Sequence, residues 1–75
     1  MASDTHTEDI AYFLSFCIEQ YKHAKGMEGE QAERILNETG ALDFLAENYE
    51  ILHTQGHRWI LAEIDEYIHK HKLTA

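Results

Sequence analysis

The sequence contains no proline, only one cysteine and few basic residues. Without proline, a low-complexity tract or an internal repeat, the four glycines are the strongest signals for helix ends. Cys17 is the sole cysteine, which excludes an internal disulfide, and no apolar run follows a basic segment at the N-terminus. We therefore expect neither a secreted nor a membrane-inserted protein, and a reducing cytoplasm fits best.

Basic residues are outnumbered by acidic ones, fourteen to six, which gives a formal net charge of −8. This charge repels nucleic-acid phosphates and anionic membranes, so we expect no membrane partner and disfavour nucleic acid. The acids are concentrated between Met27 and Glu50, where Arg34 is the only base. This segment is either a solvated surface that keeps a small protein soluble or a docking face for a partner with a basic surface. The candidate docking residues are Glu30, Glu33, Asp43, Glu47 and Glu50.

Hydrophobic residues make up 44% of the chain and recur at the three- and four-residue steps of helices, which predicts an all-α fold. We expect one domain over residues 1–75, a compact bundle of four helices with residues 1–5 as a flexible N-terminus. The helices are predicted at about 7–25, 30–38, 41–53 and 57–72. A chain this short has a small core, so a partner protein or a homo-oligomer could add stability.

Capping signals and apolar stripes set these boundaries. Thr5 and Glu8 have the spacing of a capping box, and Gly26 and Gly40 follow predicted helix ends. The first stripe comprises Ile10, Phe13, Leu14, Cys17, Ile18 and Tyr21. The third helix offers Leu42, Leu45, Tyr49 and Leu52, broadened by Phe44 and Ile51, and the fourth offers Ile60, Ile64, Tyr67 and Ile68.

No constellation of residues in the sequence indicates catalysis or a cofactor. Cys17 lies on the apolar stripe, where a buried thiol reacts poorly. His53 and His57 have a metal-ligand spacing, but Gly56 should break the helix between them and no neighbouring ligand completes a site. We therefore predict that the protein is not an enzyme, has no catalytic residue, and binds neither a metal nor a cofactor.

Two aromatic residues of the first helix lie outside its apolar stripe. Tyr12 and Phe16 are four residues apart and so share one face of that helix. If other helices surround the first one, both rings are buried; otherwise they form an exposed anchor patch of the kind found at protein interfaces. Trp59 has the same two interpretations.

The two short helices that meet near Gly40 have the arrangement of a helix-turn-helix. The outward residues of the second helix would be Asp43, Glu47 and Glu50. These acids oppose phosphate contacts and lack the Arg, Lys, Asn or Gln pattern that recognises bases. A small DNA-binding regulator or a ligand-sensing component therefore ranks second, behind a protein-interaction module.

The most distinctive segment of the chain is the turn over residues 52–57. We expect a structural joint in which Leu52 is buried, Gly56 takes a positive φ and Thr54 caps the last helix. His53, Gln55 and His57 would satisfy backbone groups left free at the helix ends. The alternative is a binding turn formed by His53, Thr54, Gln55, Gly56 and His57.

Two stretches of the chain are recognisable: FCIEQYKHAKGM, from Phe16 to Met27, and ENYEILHTQGHRWILAEIDEYI, from Glu47 to Ile68. Together with the spacing between them, they resemble a family of small, uncharacterised bacterial proteins over nearly the whole chain. The segment 52–56 is the most specific part of the match, and the departures lie at surface positions such as 28–33.

The resemblance implies no activity. It does imply partners encoded by neighbouring genes, some of which resemble ADP-ribosyltransferase-like toxins, and hence an accessory or antitoxin-type role. The leading hypothesis is accordingly a cytoplasmic module that binds a cognate bacterial protein through acidic and aromatic helix surface. Its candidate residues are Tyr12, Phe16, Glu30, Glu33, Asp43, Glu47 and Glu50.

Overall fold

The computed structural model describes residues 2–72, with the side chains of residues 7–71. This part of the chain forms five helices and no strand, which confirms the all-α prediction. The helices are α1 (Ala2–Lys25), α2 (Gly29–Glu38), α3 (Ala41–Glu47), α4 (Tyr49–Leu52) and α5 (His57–Lys72). None of these helices is long and apolar enough to cross a membrane.

Helix α1 begins earlier than predicted and ends where predicted. It starts at Ala2 rather than near residue 7, so Thr5 lies inside the helix and the predicted capping box is wrong. No proline or glycine precedes Gly26, and a helix propagates more easily than it nucleates. At the other end Gly26 adopts φ 63°. The flexibility of residues 1–5 stays a prediction.

A Schellman motif closes α1. The amide of Met27 donates to the carbonyl of Lys22 at 3.1 Å, and the amide of Gly26 donates to the carbonyl of His23 at 3.3 Å. These bonds satisfy carbonyls that the helix end would leave free, and glycine supplies the left-handed residue that the motif needs. The chain thereby reverses, and α2 packs back along α1.

Gly40 forms the junction between α2 and α3. The Thr39 hydroxyl donates to the carbonyl of Ile35 at 2.7 Å, and Gly40 follows with φ 85°. A Cβ atom on Gly40 would lie 3.1 Å from the hydroxyl oxygen of Tyr67. The junction therefore needs glycine both for its backbone conformation and for the close approach of α5.

The third predicted helix, 41–53, is divided at Asn48. Asn48 has φ −108° and ψ 21°, outside the helical range, and its side-chain amide donates to the carbonyl of Phe44 at 2.8 Å. This side-chain bond offers the backbone an alternative to a continuous helix. On α4, Leu52 is buried as predicted, whereas Ile51 is 62% exposed and was wrongly predicted to join the apolar stripe.

The core lies where α1 packs against α2, α3 and α5. In it, the ring of Phe13 meets the ring of Tyr49 edge-on, with centroids 5.4 Å apart. The core residues are Phe13, Cys17, Tyr21, Ala32, Leu36, Ala41, Leu45, Leu52, Ile60, Ile64 and Ile68. No polar or charged residue is buried among residues 7–71. The bundle is thus held mainly by apolar packing.

Candidate functional site

The outward face of α1 carries Tyr12, the most exposed aromatic side chain among residues 7–71. Tyr12 is 83% exposed and Phe16 is 43% exposed, whereas Phe13 and Cys17 on the inward face are buried. Because an α-helix turns about 100° per residue, Tyr12 lies nearly opposite this inward stripe. The interpretation in which other helices bury both rings is therefore wrong. The two rings form an exposed aromatic patch.

An open depression lies beside Tyr12. It has a volume of about 410 Å³ and is lined by Glu8, Ala11, Tyr12 and Ser15. Ala11 and Ser15 are small and one helical turn apart, so another chain could approach the backbone of α1 closely there. Neither Ala11 nor Ser15 was predicted to belong to this surface, although their spacing from Tyr12 is visible in the sequence.

The charges on this face differ between its two ends. Near the C-terminal end, the carboxylate of Glu19 contacts Lys22 Nζ at 3.2 Å and His23 Nε2 at 3.1 Å. The hydrogen bond and charge of Lys22, reinforced by His23, lower the pKa of Glu19. Near the N-terminal end, Glu8 and Asp9 form no ion pair with a basic side chain among residues 7–71. One end of the face is thus acidic, and the other is neutral to basic.

The acidic candidate residues do not gather into one site. Glu30 and Glu33 are exposed on α2 and line a separate depression of about 330 Å³ with Arg34 and Asn37. The remaining acids, Asp43 and Glu47 on α3 and Glu50 on α4, are exposed as well. The structure therefore brings Tyr12 near Phe16 and Glu30 near Glu33. Of the other three acids, Asp43 and Glu47 share α3, and Glu50 lies on α4.

The turn after α4 is held by hydrogen bonds within the chain. His53 Nδ1 donates to the carbonyl of Tyr49 at 2.8 Å, and its ring stacks on the Tyr49 ring. The Thr54 hydroxyl donates to the carbonyl of Ile51 at 2.9 Å. Thr54 therefore closes α4. The prediction that it caps the last helix is wrong. Leu52 is buried beneath the turn, as expected.

The structure also contradicts the predicted role of Gly56 in the joint. It does not have a positive φ, and nothing lies within 4 Å of the Cβ atom that another residue would add. Its carbonyl accepts from the amide of Ile60 at 3.1 Å, so Gly56 immediately precedes the first turn of α5. His53, Thr54, Gln55, Gly56 and His57 are all exposed. A binding role for this turn stays a prediction.

The Tyr49–His53 arrangement occurs a second time in the chain, and this repetition was not predicted from the sequence. In α5, His71 Nδ1 donates to the carbonyl of Tyr67 at 2.8 Å, and the two rings stack with centroids 3.9 Å apart. The ring of Phe44 stacks on the other side of Tyr67 at 4.6 Å. The spacing Tyr-x-x-x-His in both helices is the sequence signal that could have revealed this arrangement. Its role is to close helix ends.

Cys17 and the histidines are the side chains to consider for nucleophilic catalysis and for metal binding. Cys17 is completely buried, and burial raises the pKa of its thiol to about 12. Such a thiol is a poor nucleophile at neutral pH. Among residues 7–71, no group of three or more His, Cys, Asp or Glu side chains is arranged to hold a metal ion. The expectations about enzymatic activity, metals and cofactors stay predictions.

Comparison with known families gives one match, which covers residues 12–71 and is described as "Protein of unknown function (DUF3791)". The chain belongs to the DUF3791 family. No curated protein and no solved structure matches the chain. The DUF3791 segment begins at Tyr12 and includes Phe16, Lys22 and the turn at 53–57, whereas Glu8 and Asp9 precede it.

Proposed function

We propose that this DUF3791 chain is a non-enzymatic protein-interaction module that binds a cognate bacterial protein in the cytoplasm. The observation that carries this proposal is the exposure of Tyr12 and Phe16 on the outward face of α1. Exposure of a large aromatic ring to water is unfavourable, so covering the ring on association stabilises the complex. Such rings are also enriched among the residues that dominate binding.

The two rings are large enough to matter energetically. Removing a fully exposed aromatic side chain from water contributes about 1.5–3 kcal/mol. Tyr12, at 83% exposed, approaches this range, and Phe16, at 43% exposed, contributes less than half of it. A complex with micromolar affinity needs about 8 kcal/mol, after the cost of association has been met. Tyr12 and Phe16 would therefore supply a substantial part of the binding energy, and the small residues beside Tyr12 would allow the partner to pack closely.

The exposed acids indicate the chemistry of the partner. Glu30 and Glu33 on α2, with Asp43 and Glu47 on α3, would attract a protein with a basic surface and accelerate its association. The family resemblance suggests an antitoxin-like or accessory role toward a toxin-like ADP-ribosyltransferase encoded by a neighbouring gene. An acidic helical surface is suited to covering a basic nucleotide-binding cleft in such an enzyme.

The test is binding of the purified chain to the purified product of the neighbouring gene, measured by isothermal titration calorimetry. We expect Tyr12→Ala and Phe16→Ala each to weaken binding about tenfold or more. Ile51→Ala is the matched control, because Ile51 is 62% exposed but lies on α4, and it should leave the affinity unchanged. If the wild-type chain does not bind, or if both aromatic variants bind as tightly as wild type, this proposal is wrong.

A charge test complements the aromatic one. Glu30→Lys with Glu33→Lys should slow association with a basic partner, most strongly at low ionic strength. Glu38→Lys is the control for charge reversal, since Glu38 is exposed at the end of the same helix but outside the candidate set. Because Glu38→Lys reverses one charge and the double variant reverses two, slowing by Glu38→Lys of half that size or more would assign the effect to net charge rather than to Glu30 and Glu33.

A further inference from the structure

The outward face of α1 is complementary to itself in one orientation. Glu8 and Asp9 lie near one end, Tyr12 and Phe16 in the middle, and Lys22 with His23 near the other end. Two parallel copies would place acid against acid, whereas two antiparallel copies place the acidic end of each against the neutral to basic end of the other, which carries Lys22 and His23. The distribution of charge along α1 therefore favours an antiparallel pair.

The helical register supports this pairing. Ser15 is midway between Glu8 and Lys22, and Phe16 is midway between Asp9 and His23. A two-fold axis between Ser15 and Phe16 therefore brings Glu8 close to Lys22 of the second copy, within one residue of exact register. In an antiparallel pair, residues on the same flank of the contact line meet. With about 100° per residue, Glu8 shares a flank with Lys22, and Asp9 shares the other flank with His23.

The middle of the face fits the same register. With this axis, the Phe16 rings of the two copies meet, and Ser15 allows their backbones to approach. The hydroxyl of Tyr12 comes opposite Glu19 of the second copy, whose carboxylate already contacts Lys22 and His23. The pairing would thus cover two rings that are exposed in the single chain.

We propose that two copies of this chain associate through antiparallel pairing of the outward face of α1, with Glu8 of one copy opposite Lys22 of the other. The dimer covers Tyr12 and Phe16. A partner that binds these rings must therefore displace the second copy, and this regulatory consequence rests on the proposed function. Self-association itself does not depend on that function.

The primary test is sedimentation velocity of the full chain alone over about a hundredfold range of micromolar concentration. The expected result is a shift from one chain of 8.7 kDa toward twice that mass. Glu8→Lys and Lys22→Glu should each weaken association about five- to tenfold, because each creates two like-charge contacts per dimer. Mixing the two variants should restore association, since both contacts of the mixed dimer again join opposite charges.

Matched controls keep this test specific. Glu38→Lys and Lys70→Glu make the same charge changes at exposed positions on α2 and α5, and both should self-associate like wild type. Far-ultraviolet circular dichroism checks that every variant is folded. A chain that stays monomeric at all concentrations, or charge variants whose mixture associates no better than each alone, would overturn the antiparallel dimer.

A cross-link locates the axis. Ser15→Cys should form a disulfide-linked dimer under mild oxidation at least tenfold faster than Gln31→Cys, which places an exposed thiol on α2. The buried Cys17 does not compete. Equal rates for the two variants would contradict an axis at Ser15.

The dimer and the proposed function can fail independently. If the wild type is monomeric and Tyr12→Ala loses partner binding, the dimer is refuted and the proposed function stands. If the wild type is a dimer and both aromatic variants still bind the partner, the proposed function is refuted and the dimer stands.

Discussion

The hydroxyl of Tyr67 lies in tight contact with the position at which a side chain on Gly40 would begin. A Cβ atom at Gly40 would lie 3.1 Å from Tyr67 Oη, and Gly40 also has φ 85°, which side chains other than hydrogen disfavour. Two independent physical reasons therefore require glycine at the junction of α2 and α3. The two reasons can be tested separately, because the steric contact depends on Tyr67 whereas the positive φ of Gly40 does not.

Substitution of the three glycines that lie just outside helices, Gly26, Gly40 and Gly56, should accordingly have graded effects. Gly26→Ala meets no close atom but forces φ 63°, so it should cost about 1–2 kcal/mol of unfolding free energy. Gly40→Ala should cost more, because the contact with Tyr67 adds to the backbone strain. Gly56→Ala should change stability by less than about 0.5 kcal/mol, because neither reason applies there.

Urea denaturation followed by circular dichroism gives this ranking. Tyr67→Phe removes the hydroxyl and should recover part of the loss in the Gly40→Ala background but none in the Gly26→Ala background. A Gly40→Ala variant no less stable than Gly56→Ala would contradict the role of the junction. The expectation that Gly56 holds a strained backbone is withdrawn, since its φ is not positive.

Cys17 provides a prediction about pH. Burial raises the pKa of its thiol from 9.0 to about 12 in the folded chain. Below pH 9 both folded and unfolded chains keep the thiol protonated, and its contribution to stability is complete. Between pH 9 and 12 the unfolded chain loses the proton first, so this contribution declines as the pH rises.

Comparison with Cys17→Ala isolates this effect. Burial also raises the pKa of Tyr21, which acts in the same direction, but Tyr21 is present in both proteins. The stability difference between wild type and Cys17→Ala, measured by urea denaturation, should therefore shrink from pH 8.5 to about pH 11. In addition, the native thiol should react with a disulfide reagent only after unfolding. Rapid reaction in the absence of denaturant would contradict its burial.

The sequence predicted the helical parts of the fold well because each depends on local patterns. The stripe with Phe13 and Cys17 and the stop at Gly26 follow from residue spacing and backbone preference. The division at Asn48 was missed because the apolar spacing continues across it, and a side-chain hydrogen bond does not alter that spacing. For the candidate site, residue spacing placed Tyr12 on a separate face of α1. Its exposure could not be predicted from that spacing, because exposure depends on how many helices surround α1.

Asn48 itself is open to a direct test. Its amide donates to the partly buried carbonyl of Phe44 at 2.8 Å. Asn48→Ala removes that donor and should cost about 1 kcal/mol. Asn48→Asp should cost more, because it places a carboxylate oxygen against the carbonyl oxygen. Thermal denaturation of the three proteins measures the order, and an Asp variant as stable as wild type would show that the hydrogen bond does not support the break.

The two Tyr-x-x-x-His pairs give an internal control for the role of the turn at 53–57. His53 and His71 share two contacts: each donates from Nδ1 to the carbonyl four residues earlier at 2.8 Å and stacks on a tyrosine ring. His53→Ala and His71→Ala should therefore each cost about 0.5–1.5 kcal/mol. Gln55→Ala, at an exposed position, should cost less than about 0.5 kcal/mol.

Binding then distinguishes a joint from a recognition turn. If the turn is only structural, His53→Ala and His71→Ala lose stability together, and both still bind the neighbouring-gene product at temperatures where they remain folded. If it is a recognition turn, His53→Ala or Gln55→Ala loses binding while His71→Ala retains it. We expect the first pattern, because the resolved bonds of His53 and Thr54 are directed at the backbone of their own helix. Calorimetric titration of the three variants, with melting curves for each, decides between the two roles.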